Sequence, residues 1–181
     1  MIGAAAIVLA VAAVPAREMS AIERLNAELL ASPTATAVLE RRCAALGLAD
    51  PPRVHAEVKR GRVPASASPS RTRLGVGKDE VLGYRRVRLM CGATVLSEAI
   101  NWYVASRLTP EMNAALDGGD TPFGRVILPL RPYRRTLSVW TARPGRVSAS
   151  GDVIRHRALV FDGAGRPLAE VVERYKRVLV D

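Results

Sequence analysis

The sequence predicts an α+β domain: a single antiparallel β-sheet with N-terminal helices packed on it. Apolar residues recur at helical spacing near the start of the chain, whereas two-residue alternation and a hairpin signal dominate the later part. Helices gathered early and strands gathered late argue against a doubly wound parallel sheet. A length of 181 residues suits one domain with a sizeable core.

The elements follow in order. Ile22, Leu25, Leu29 and Leu30 mark a first helix over Ser20 to Leu30, with Ser20 as cap and Glu23 three residues on. A second helix follows Ser32-Pro33-Thr34, where Val38, Leu39, Cys43 and Leu46 keep the period and Gly47 offers the stop. After Pro51-Pro52 the pattern becomes extended from Arg53 to Val63, then a loop rich in Pro, Ser and Gly runs from Pro64 to Gly77. Extended stretches are expected at Val81–Met90, Thr94–Val104, Arg125–Leu130 and Arg135–Ala142. Thr109-Pro110-Glu111 opens a short helix that reaches Leu116. The last two strands, Val153–Phe161 and Leu168–Val180, flank Asp162-Gly163-Ala164-Gly165, a hairpin turn.

The apolar run from Ala4 to Val14 is too short to span a bilayer. It resembles a signal-peptide core but lacks a basic flank, and a start at Met19 explains it equally well. The expected domain is therefore residues 19–181, with 1–18 set aside. The expected location is the cytoplasm, or outside the cell if the run is a signal peptide.

A formal charge of +10 admits nucleic acid, an anionic membrane surface or a small anionic ligand as partner. With aromatic residues at 4% and no zinc-finger or RNP spacing, the expectation is no nucleic acid and no stable membrane insertion. Cys43 and Cys91 form no disulfide framework, and with His55 and His156 they fall short of a metal cluster. All four are expected in separate buried or surface roles, with no metal and no cofactor.

No nucleophile elbow, zinc-protease helix, P-loop or dinucleotide fingerprint is present. Gly75-Val76-Gly77-Lys78 lacks the full phosphate-loop spacing. The final strand is more informative. Alternation puts Val171, Glu173 and Tyr175 on one face, so the Glu173 carboxylate is either paired internally, with Arg177 as candidate, or faces a pocket. Glu170, on the other face beside cations, reads as solvated but remains a rival for the pocket carboxylate. In Tyr84-Arg85-Arg86-Val87-Arg88, alternation puts Arg86 and Arg88 on the solvent side. Arg86 is either a surface residue or an anion contact.

Several stretches resemble the chorismate lyase-like family: Leu96-Ser97-Glu98-Ala99-Ile100-Asn101-Trp102-Tyr103, then Ser106-Arg107-Leu108-Thr109-Pro110-Glu111-Met112-Asn113. Asp120-Thr121-Pro122-Phe123-Gly124-Arg125 is similar to the family's Thr-Pro-Leu-Gly-Arg turn, with Phe123 in place of leucine. Pro132-Tyr133-Arg134-Arg135-Thr136 resembles the strand carrying the family's recurring arginine, assigned to Arg135. The resemblance runs from about Leu25 to the C-terminus. It implies a cofactor-independent chorismate–pyruvate lyase yielding 4-hydroxybenzoate and pyruvate. Arg86 would grip the ring carboxylate, Glu173 would bond the 4-hydroxyl, and Arg135 and the amides of Phe123 and Ala35 would complete the substrate contacts. The same resemblance allows a non-catalytic, effector-sensing domain that binds an aromatic ligand, or an enzyme of this fold acting on another substrate.

Overall fold

Ten- and eleven-residue strands with buried and open side chains in alternation form the centre of the molecule. A computed structural model describes residues 14–60, 69–143 and 148–181, with the side chains of 14–20 left undescribed. Six antiparallel strands make one sheet in the order β1-β2-β3-β6-β5-β4. They are β1 (Val54–Val58), β2 (Leu82–Cys91), β3 (Thr94–Val104), β4 (Tyr133–Thr141), β5 (Asp152–Phe161) and β6 (Pro167–Lys176). The helices are α1 (Val14–Ala31), α2 (Ala35–Ala45), α3 (Arg71–Leu74), α4 (Pro110–Gly118) and α5 (Phe123–Val126).

One face of the sheet carries two apolar clusters. In the first, Ile22, Leu25 and Leu29 of α1 and Val38, Leu39 and Cys43 of α2 pack on Val87, Leu89, Leu96 and Ile154. In the second, Leu116 of α4 and Phe123 of α5 join Ile127, Ala158, Val160 and Val171. On the opposite face a smaller cluster of Leu74, Val104, Leu159 and Phe161 lies under α3. The α+β class and antiparallel sheet agree with the sequence pattern. Helix α1 begins at Val14, five residues before Met19. The expectations for residues 1–13, and those parts of the extended stretch and the loop that fall on 61–68, lie outside the described residues. No helix among the described residues is long and apolar enough to cross a membrane.

Two expectations need correction. The stretch Arg125–Leu130 is not a strand: α5 and a 3-10 turn over Leu128–Leu130 occupy it. Val126-Ile127-Leu128 is a short apolar run, which carries no period able to separate strand from helix, and tertiary packing decides. Cys43 and Cys91 do not act separately. They form a disulfide that joins α2 to the end of β2 across 48 residues of sequence, with 5.9 Å between their Cα atoms.

Candidate functional site

A cavity opens where the two apolar clusters meet on the helix-covered face. Its walls are mostly apolar, from Val87, Leu89, Ala99, Ile127, Val160 and Val171. The starts of α2 and α5 close one side through Thr34, Ala35, Thr36, Phe123 and Gly124. Thr34 caps α2 by accepting a hydrogen bond from the Ala37 amide at 3.4 Å. The amides ahead of Ala37 have no intrahelical acceptor, as at any helix start. Gly124 permits the two helix starts to approach: a Cβ there would lie 2.7 Å from Thr36 Oγ1 and 3.0 Å from Thr34 Cβ.

The charged groups of the cavity are Arg134 from β4 and Glu173 from β6. They form a buried ion pair in which Arg134 Nη2 donates to Glu173 Oε2, and the Tyr175 hydroxyl donates to the same oxygen at 2.9 Å. Burial works against the charge on Arg134, but Glu173 and Tyr175 outweigh it, so the guanidinium is held firmly protonated. Burial likewise pushes the Tyr175 phenol well above its ordinary range, with the Glu173 charge adding to the effect. Arg134 Nε and Nη1 are buried with no hydrogen-bond partner among the described residues. Both bonds to Glu173 fall on Oε2, which leaves Oε1 able to accept.

His156 stands behind the pair. Its ring meets Tyr175 edge-on at 5.5 Å, and its Nε2 lies 2.8 Å from Asn26 Oδ1 on α1. Burial lowers its pKa below 6.5, against the raising effect of Glu173. The unfolded chain therefore takes up a proton below pH 6.5 that the native imidazole refuses. Stability should fall as pH drops from 6.5 toward the depressed native value. Proton NMR of the His156 ring should show it less than half protonated at pH 6.5. A half-protonated ring at that pH would contradict the burial argument.

The expected site residues divide. Glu173, Phe123 and Ala35 line one cavity, and Arg86 and Arg135 do not. Arg86 lies on the opposite face of the sheet, in a depression with Ile100, Val172 and Arg174. Simple alternation gives that same side, because Val87 and Leu89 turn inward. Arg135 reaches over the Phe161 ring, 5.2 Å from its centroid. The cavity arginine is its neighbour Arg134, one position earlier. Glu170 is not solvated. It is almost fully buried, paired with Arg73 and Arg157 and accepting the Ser70 amide at 2.9 Å. It therefore anchors the α3 segment to the opposite face and is no rival to Glu173. Arg177 pairs with Asp181 rather than with Glu173. Arg85, also inward, donates to the Thr121 and Gly119 carbonyls and so holds the loop that leads into α5.

No family model matches the chain. The uncharacterized protein y4mC of Sinorhizobium fredii is 36% identical over 181 aligned positions, which cover 90% of this chain and 76% of that protein. Similar solved structures include the possible transcriptional regulator YydK of Bacillus subtilis, at 13% identity and TM-score 0.45, covering 71% of this chain; the chain spans 60% of YydK. They also include a GntR-family transcriptional regulator of Bacillus cereus, at 9% identity and TM-score 0.44, covering 68% of this chain and 92% of that one. A third is the effector domain of PhnF from Mycobacterium smegmatis, at 12% identity and TM-score 0.46, covering 68% and 81%. Similarity of this degree says nothing of what this chain binds. The expectation of a chorismate–pyruvate lyase is nevertheless corrected. Arg86, assigned to anchor the substrate, lies across the sheet from Glu173, so the substrate contacts on which that expectation rested do not come together.

Proposed function

The chain belongs to the same family as the Sinorhizobium fredii protein y4mC, and we propose that its cavity binds a small hydroxylated aromatic acid and releases it unchanged. The observation that carries the reading is the half-engaged Arg134–Glu173 pair. Within one buried group it offers unpartnered N–H donors at Arg134 Nε and Nη1 and an acceptor at Glu173 Oε1. A hydroxyl both donates and accepts, so it satisfies the two together. The pair is neutral overall, so it attracts a hydroxyl without demanding an anion. The ligand's carboxylate then belongs at the other wall, at the open amides around Ala35 that begin the eleven-residue α2, with the Phe123 amide beside it. The apolar walls between take the ring.

Binding without turnover is the reading supported by the engagement of Glu173, whose carboxylate already serves as the partner of Arg134 and Tyr175. The test is calorimetry with 4-hydroxybenzoate and benzoate, beside a pyruvate assay with chorismate. We expect 4-hydroxybenzoate to bind at least about tenfold more tightly than benzoate, because benzoate leaves the buried donors and acceptor unsatisfied. We expect no pyruvate. Equal affinity for the two acids, or no binding by either, would remove the assigned role of the pair. Stoichiometric pyruvate release would overturn the non-catalytic reading.

A further inference from the structure

The two edges of the sheet are treated differently. At the β1 edge the Ala56 amide, which points away from β2, donates to the Asp120 carbonyl, so the loop before α5 covers that edge. Charged side chains also guard it, with Glu57 paired to Lys59 and facing Arg88. Among the described residues the β4 edge has neither protection along its second half. There β4 pairs with β5 alone, and in an antiparallel strand alternate residues turn their N–H and C=O groups away from the neighbour. Those outward groups form an open template for another strand.

The side chains there are apolar and open to solvent. Leu137 is 38% exposed, Val139 43% and Trp140 41%. From 136 to 141 the strand reads Thr-Leu-Ser-Val-Trp-Thr, with no charge, in a chain whose net charge is +10. A natural edge strand usually carries lysine, proline or an inward charge to prevent pairing. This segment carries none, and a bulge between Thr136 and Ser138 is its single irregularity.

We infer that β4 pairs antiparallel with β4 of a second copy of this chain, so that two six-stranded sheets become one continuous sheet. A second copy fits as the occupant: an uncharged segment matches its own image about a two-fold axis, and the cation beside it, Arg155 over the Trp140 ring, is paired with Asp152. Arg134 and Arg135 lie outside the uncharged stretch, at the start of β4. The assembly does not depend on what the cavity binds.

The full chain should sediment at twice its 19.5 kDa mass at tens of micromolar. The double variant Leu137→Lys/Val139→Lys should sediment as a monomer with an unchanged circular dichroism spectrum, since both positions are exposed. Ser138→Cys supplies a check that does not depend on charge insertion, because the described cysteines are both in the disulfide. Mild oxidation should join Ser138→Cys chains into a covalent dimer, whereas Val81→Cys, at a site 77% exposed and far from β4 in sequence, should remain uncoupled. A monomeric wild-type chain would overturn the inference. So would a dimer that survives the two lysines, or equal cross-linking at positions 138 and 81.

Discussion

Arg134→Ala should destabilise the native state by about 3–5 kcal/mol, which is the cost of leaving one member of a buried ion pair without its partner. The side chains of Arg134 and Glu173 are 4% and 10% exposed, so solvent offers little relief to the carboxylate left behind. Urea denaturation at pH 7 measures the effect as a lowered midpoint with an unchanged slope. The double variant Arg134→Met/Glu173→Leu should recover most of the loss, because removing both charges replaces a desolvated pair with apolar volume in an apolar wall. Its cavity should nevertheless lose its preference for 4-hydroxybenzoate over benzoate. Stability and recognition would then separate in one protein. If Arg134→Ala costs less than about 1 kcal/mol, the pair is solvated and the cavity is more open than described.

The disulfide provides the second large effect. Closing a loop of 48 residues removes conformational freedom from the unfolded chain worth roughly 4 kcal/mol in the chain-entropy treatment. Cys43 and Cys91 are fully buried against α1, α2 and β2, so replacing both with alanine adds a packing loss to the entropic one. The Cys43→Ala/Cys91→Ala variant should therefore unfold at markedly lower urea, and the wild-type chain under strong reductant should move in the same direction. Coincident unfolding curves with and without reductant would show that the bond does not stabilise the fold.

Much of the architecture was legible because it rests on local patterns. Alternation along β2 and β6 sorts Val87, Leu89, Glu173 and Tyr175 to one face and Arg86 and Arg88 to the other, and the structure shows the same division. Where the resemblance assigned Arg86 to the ligand against that alternation, the alternation was the better guide to its side of the sheet. Arg134 was harder to see. It adjoins Arg135 on an edge strand that is open along most of its length, so no apolar face marks which arginine points inward. The α5 turn hides in a short apolar run, and the disulfide joins residues 48 apart, a pairing visible only once α2 lies against β2. Glu170 was misread for a related reason: its face is covered by α3, which comes from a distant part of the chain.

In the proposed function Arg134 meets a ligand inside the cavity. The most direct measurement is an NMR titration of the Arg134 Nε–H resonance, assigned by its loss in Arg134→Lys, as 4-hydroxybenzoate is added. Binding at the pair predicts a saturable shift of that resonance, slower exchange of its proton with water, and little response to benzoate at equal concentration. An unmoved Arg134 signal at a ligand concentration that saturates calorimetric binding would contradict the account and put the ligand elsewhere on the protein.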